Sequence, residues 1–441
     1  MLTVRYGNHC VSNRVSANSM IKRDRKEIMA QFLKVKTADE VLSIITKIEP
    51  LPSESISLEI AHARVLSSAL TAPEPLPHFS RATMDGFAVR AKDTFGATES
   101  LPTMLEVVGE IVMGESVSLS LDAGKAVAVP TGGMLPANAD SVVMVEYTYN
   151  LDEKTIEVIK PVAPGDNILR VGEDIENDQN LFPAGWRLRP QDIGLLAALG
   201  ISRVPVHRRP RVAVISTGDE IVPITDAPPP PGKVRDINSI TLAAELEEAG
   251  AAVTIQQVVV DDLDALVAAA NSALVENDML LLSGGSSVGA RDYTLQILDH
   301  FENAELLVHG VAIRPGKPTI LARIGKKIFW GLPGQPVSAL MIYRALVIPS
   351  LARLEGQEDM AEWSGTRIRA ILNRQLPSVQ GRTDYVPVMN SRVEGKAHAS
   401  PIFGKSAMIG ILARADGFII VPEHVEGLAQ GSEVEVHLFS R

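Results

Sequence analysis

Between Arg211 and Leu354 the sequence switches repeatedly from short, β-branched runs to segments with helical spacing, and no other feature restricts the fold so strongly. Arg211–Ser216 reads as a buried strand, 239–249 as a helix closed by Gly250, and 253–260 as a second strand. Residues 263–275 read as helix, 279–283 as strand, 293–300 as helix and 328–330 as strand, before a long helix over 337–354. Alternation on this scale builds a parallel sheet with right-handed crossovers, covered by helices on both faces.

The flanks follow other rules. Residues 39–48 carry apolar side chains at helical spacing behind Thr37, a candidate N-cap. Residues 73–79 (Pro-Glu-Pro-Leu-Pro-His-Phe) are too rich in proline for a helix. From Gly86 to about Val162, Val- and Ile-rich runs alternate with Gly, Pro and Asp turns, which reads as a small β domain. Residues 190–199 read as a short helix ending at Gly200, and beyond Gly356 the pattern returns to strands and turns.

Composition narrows the function classes. The chain of 441 residues has 53 acidic and 42 basic side chains, a formal charge of −11, which disfavours general binding to nucleic acid. The single cysteine, Cys10, excludes an internal disulfide and any four-cysteine metal site, and points to a reducing, cytoplasmic compartment. The apolar stretch 337–351 is interrupted by Arg344 and is too short to span a bilayer, so no membrane is expected. Residues 1–28 carry a local charge of +4 without the apolar core of a secretory signal; they read as a disordered tail, or as translation from upstream of a start at Met29.

In an open parallel sheet, ligands collect outside the carboxyl ends of the strands. Four loops qualify: 216–220 (Ser-Thr-Gly-Asp-Glu), 283–292 (Ser-Gly-Gly-Ser-Ser-Val-Gly-Ala-Arg-Asp), 314–318 (Arg-Pro-Gly-Lys-Pro) and 331–338 (Gly-Leu-Pro-Gly-Gln-Pro-Val-Ser). The Gly-rich second loop is not a P-loop, since Ala290 follows Gly289, and its adjacent Gly284 and Gly285 break the dinucleotide pattern. It remains either a turn needed for geometry or an anion-binding turn. Asp219, Glu220, Asp261 and Asp292 fall at the same edge. Singly, each could be an N-cap or turn residue; as a set beside anion-binding turns they suit Mg²⁺ held against phosphate. Arg314 and Lys317 supply cations for a polyanionic ligand. No zinc-hydrolase histidine spacing occurs.

These loops, together with residues 77–90 (Pro-His-Phe-Ser-Arg-Ala-Thr-Met-Asp-Gly-Phe-Ala-Val-Arg), resemble the MoeA family of molybdopterin molybdenumtransferases, which includes the gephyrin E domain; the likeness runs from about Met29 to Arg441. The resemblance implies the last step of molybdenum cofactor synthesis, with molybdate and adenylylated molybdopterin as substrates, AMP as a product and Mg²⁺ as cofactor. It also implies a homodimer with the active site between subunits, and transient contact with a MogA-type adenylyltransferase and with molybdoenzyme apoproteins. The implied fold is a MogA-like parallel α/β domain with an inserted β domain and a C-terminal barrel-like β domain. The corresponding boundaries are a tail at 1–28, a discontinuous linker domain at 29–75 and 165–205, an inserted β domain at 76–164, an α/β molybdopterin-binding domain at 206–356 and a C-terminal β domain at 357–441.

By the same resemblance, Glu220, Asp261 and Asp292 match acidic positions that handle Mg²⁺ and the phosphoanhydride. Arg314 and Lys317 would bind pterin phosphate or molybdate. Ser283, Gly284, Gly285, Ser286, Pro333 and Pro336 would line the substrate. Asp85 and Thr131 would reach in from the partner subunit, while Asp174, Arg382 and Ser406 support the site. Four departures from the usual family pattern, at Ser286, Gln335, Gly310 and the loop holding Arg81 and Thr83, bear on molybdate against tungstate. The competing readings are a tungstate-preferring homologue, a MogA-type adenylyltransferase, whose usual Thr-Gly-Gly-Thr-Gly loop is missing here, and a non-catalytic gephyrin-like scaffold.

Overall fold

The computed structural model describes residues 35–225, 227–284, 293–357 and 366–439; the tail expected at 1–28 lies outside them. The chain divides into two compact units, one of residues up to Glu54 together with His207 onward, the other of Ser55–Val206.

In the first unit, a six-stranded sheet runs in the order Ala252–Ile255, Arg211–Ser216, Met279–Ser283, Lys327–Leu332, Ile320–Ile324, Ala304–His309. The first four strands are parallel, as the alternation predicts. The last two are antiparallel, an edge that the periodicity did not reveal. The expected strand 253–260 stops at Ile255; the chain then bonds back to Val214 and Ser216 through the N–H groups of Gln256 and Val259.

Period two divides each central strand between two cores. Val212, Val214, Met279 and Leu281 pack with Leu242 and Leu246 of helix Asn238–Glu248 and with the long helix Pro336–Leu354. Ala213, Ile215, Leu280 and Leu282 pack on the other face with Leu266 and Ala270 of helix Leu263–Glu276. Burial on both faces explains why these strands read as unbroken apolar runs. Asp262 caps Leu263–Glu276 by accepting from the Ala265 N–H at 2.9 Å. Thr37 and Glu40 form a reciprocal capping box on Ala38–Ile45.

The helix Pro336–Leu354 widens into a π-turn at Tyr343–Val347. Pro349 lies just beyond; it has no N–H to give the carbonyl four residues back, and its ring would crowd that carbonyl. Among the described residues this helix alone is long and apolar enough to cross a membrane, yet 78% of its window is buried in the core.

Five strands after residue 366 close on themselves: Thr383–Val393, Lys396–Pro401, Arg367–Leu372, Glu433–Leu438 and Gly417–Val421, which pairs again with Thr383–Val393. This is the barrel-like C-terminal domain, and closure leaves its sheet without free edges there. A sixth, two-residue strand, Ile313–Arg314, joins it in parallel, setting Ile313 opposite Thr383 and Arg314 opposite Asp384.

The unit Ser55–Val206 holds a second six-stranded sheet, ordered Ser141–Met144, Gly86–Val89, Lys125–Val129, Thr103–Glu110, Thr155–Val158, Thr148–Asn150. Only Lys125–Val129 and Thr103–Glu110 pair in parallel. Outside that sheet, Arg81–Ala82 pairs with Ile168–Leu169, and Leu70–Thr71 with Asn180–Phe182, so chain before the sheet lies against chain after it.

Candidate active site

The carboxyl ends of the parallel strands open, within the first unit, into a cleft of about 1600 Å³ whose far wall is the C-terminal barrel. Of the residues singled out in the sequence, the cleft brings together Glu220, Asp261, Ser283, Gly284, Arg314, Lys317, Pro333, Pro336, Arg382 and Ser406. Gly285, Ser286 and Asp292 lie outside the described residues.

One side of the cleft is acidic and tightly bonded. The Thr217 hydroxyl donates to Asp261 Oδ1 at 2.7 Å, and the Asp261 N–H donates to Asp219 Oδ1 at 3.2 Å. Asp236 is buried beneath them, accepting from the Ser216 hydroxyl at 2.8 Å, the Ser239 N–H at 3.1 Å and the Ser239 hydroxyl. Gly284, at φ +112°, passes so close to this loop that a Cβ would sit 2.2 Å from the Thr217 carbonyl oxygen. That approach lets two strand-end loops share one rim, which only glycine permits.

Asn238 joins a third loop to them, donating through Nδ2 to Ser283 Oγ at 2.7 Å and to the Gly334 carbonyl at 2.9 Å. The loop ahead of Pro336 is in turn fastened to the barrel. Ser406 donates its hydroxyl to Gln335 Oε1, and its carbonyl accepts from the Val337 N–H at 3.0 Å.

The cleft is also lined by cations. Arg382 holds Asp384 through Nε at 2.8 Å and Nη2 at 3.3 Å, and Arg314 Nη1 lies 3.8 Å from Asp384 Oδ2. Lys317 and Lys405 line the same cleft. Asp384, Lys405 and Asn238 were not singled out in the sequence. Lys405 sits beside Ser406 in the Gly-Lys-Ser triplet, and Asp384 two residues after Arg382, both signals that were there to use; Asn238 gains its place only through bonds to distant chain.

Among the described residues, no three His, Cys, Asp or Glu side chains gather into a metal cage. Glu220 and Asp261 line one cleft, and two carboxylates are a donor set suited to Mg²⁺, which takes few protein ligands and completes its shell with water and ligand phosphate.

In the second unit, Asp85 Oδ1 accepts from both the N–H and the hydroxyl of Thr131, at 2.7 and 2.8 Å. Those two bonds, backbone first, hold the exposed Asp85 carboxyl below its usual range. The resemblance had singled out both residues, and they meet directly. Asp174 is exposed in the same unit, where its N–H donates to the Leu76 carbonyl at 3.1 Å.

Carboxylates, guanidinium and ammonium groups lining one cleft at the end of a doubly covered α/β sheet define a protein equipped for phosphorylated or oxyanionic ligands. Comparison with known proteins makes the class specific. The chain matches the MoeA N-terminal region (domain I and II) over residues 34–200, the "Probable molybdopterin binding domain" over 213–353 and the MoeA C-terminal region (domain IV) over 369–439. It is 34% identical over 390 residues to the molybdopterin molybdenumtransferase of Bacillus subtilis, covering 88% of this chain and 90% of that protein. To the molybdopterin molybdenumtransferase of Nostoc it is 31% identical over 406 residues, covering 91% and 92%. The crystal structure of a molybdopterin biosynthesis MoeA protein from Pyrococcus horikoshii superimposes with a TM-score of 0.79 at 31% identity, covering 92% of this chain and all of that one. The chain belongs to the MoeA family.

Proposed function

We propose that this chain is a molybdopterin molybdenumtransferase that inserts molybdate into adenylylated molybdopterin and releases AMP, completing molybdenum cofactor synthesis. The relatives that carry that name support the transferase reading. The observation that carries the finer reading is the cleft itself, which Glu220 and Asp261 line together with Arg314, Lys317 and Arg382. Holding two anions close is the central task, and it needs fixed positive charge to offset their repulsion.

Arg314, Lys317, Arg382 and Ser406 would bind molybdate and the pterin phosphate. Ser283, Gly284, Pro333 and Pro336 would shape the wall against the substrate. Glu220 and Asp261, with Asp292, would hold Mg²⁺, which supplies charge neutralisation at a phosphoanhydride. The dithiolene sulfurs arrive with the pterin, so the chain needs no cysteine ligand of its own. In this reading the protein works as a homodimer, Asp85 and Thr131 of the partner subunit serve the site, and Asp174 supports it.

The test supplies purified protein with Mg²⁺, adenylylated molybdopterin and either molybdate or tungstate, and measures AMP. AMP release with molybdate is expected; none with either oxyanion overturns the catalytic reading, and faster release with tungstate selects the tungstate-preferring alternative. Glu220→Ala is expected to fold normally yet lose AMP release. Normal turnover in that variant would remove Glu220 from the metal site.

A further inference from the structure

Arg314 and Arg382 are distant in sequence but meet at one carboxylate, because Ile313–Arg314 runs parallel to the start of Thr383–Val393, which follows Arg382 directly. Between them lies one carboxylate. Asp384 accepts from Arg382 Nε at 2.8 Å and Nη2 at 3.3 Å, and its Oδ2 is 3.8 Å from Arg314 Nη1. Its side chain is 3% exposed, against 63% for Arg314 and 32% for Arg382.

We propose that Asp384 is a positioning residue for the oxyanion end of the cleft, fixing the two guanidiniums so that their outward N–H groups meet a tetrahedral dianion. This rests on the function proposed above and adds to it a residue that need not touch the ligand. Two guanidiniums side by side repel each other, and a buried negative charge between them offsets that repulsion. The two-pronged bond from Arg382 also orders its planar fork before any ligand arrives, so less side-chain freedom is lost on binding. Arg382 Nη1 makes no bond to Asp384 and stays available to a ligand.

The proposal makes a prediction of unusual sign. By Coulomb attraction alone, removing a negative charge beside an anion site tightens anion binding. A positioning role requires the reverse. The experiment measures binding of molybdate and of tungstate to the full chain by equilibrium dialysis, for wild type and Asp384→Asn, with thermal unfolding as the check on folding. A rise in Kd of about tenfold or more is expected, about 1.4 kcal/mol. With adenylylated molybdopterin present, KM for molybdate should rise while kcat at saturation stays within about twofold, the pattern of lost ground-state binding.

An unchanged or lower Kd overturns the proposal. If Asp384→Asn fails to fold, Asp384→Glu keeps the charge and displaces the carboxylate by one methylene: weaker oxyanion binding supports positioning, and unchanged binding overturns it. Wild-type protein that binds neither oxyanion overturns the oxyanion reading of the cleft and this role with it. Wild-type binding with an indifferent variant removes the role of Asp384 only.

Discussion

Asp192 shows how much one side chain can organise. It accepts from the Arg189 N–H at 2.9 Å, from Arg189 Nε and Nη2 at 3.0 and 2.9 Å, and from Trp186 Nε1 at 2.9 Å. Burial works to raise its pKa, but the bonds from Arg189 and Trp186 outweigh it and leave the carboxyl below its ordinary value. A folded pKa below the unfolded one means stability that is present above about pH 4 and lost as pH falls through the folded value. Asp192→Asn should therefore cost about 1–2 kcal/mol at pH 7, and the deficit should shrink on acidification; urea unfolding at pH 7 and pH 3 checks both. At this scale the site was legible where chemistry travels in short strings. Thr-Gly-Asp-Glu carries Glu220, Arg-Pro-Gly-Lys carries Arg314 and Lys317, and each set lines the cleft. Asp384 bonds its near neighbour Arg382, but its place beside Arg314 was hidden because that residue lies on a strand from a different stretch of chain.

At the scale of elements, the helix Pro336–Leu354 resolves an ambiguity that hydropathy creates. Its Arg344 lies inside the fold, bonded to Glu245 of Asn238–Glu248 at 2.5 Å and stacked over Phe439 with its guanidinium carbon 4.6 Å from the ring centroid. Tyr343 donates its hydroxyl to the Glu245 carbonyl at 2.8 Å. Burial pushes the Glu245 carboxyl up in pKa by more than Arg344 holds it down, so the pair survives at a desolvation cost. Removing one partner strands the other charge. Glu245→Ala should lower stability by about 3–5 kcal/mol, whereas Glu245→Leu combined with Arg344→Met should recover most of that loss in the same urea titration. The helices and the central strands were legible because period and capping are local. The antiparallel strand Ala304–His309 was not: at the sheet edge its mostly exposed or half-buried residues follow no clean alternation.

For the whole molecule, the charge of −11 disfavours anions at long range, so the local group of Arg314, Lys317, Arg382 and Lys405 has to provide the attraction. If the proposed homodimer completes each site with Asp85 from the partner subunit, two inactive variants can rescue each other. Asp85→Ala and Glu220→Ala, unfolded and refolded together in equal amounts, should recover about a quarter of wild-type AMP release, since half of the dimers would be mixed and each would keep one intact site. No recovery, with mixed dimers demonstrated by differential tagging, would place both residues on one subunit's site.

The strand Ile313–Arg314 has a consequence for ancestry. By sequence it belongs to the α/β stretch, yet it hydrogen-bonds into the barrel. An exchange of genetic material anywhere between residues 314 and 382 would take Arg314 from one parent and Arg382 with Asp384 from the other. The α/β and barrel segments therefore work as one block: a recombinant keeps the cationic half of its cleft only where both parents supply matching residues.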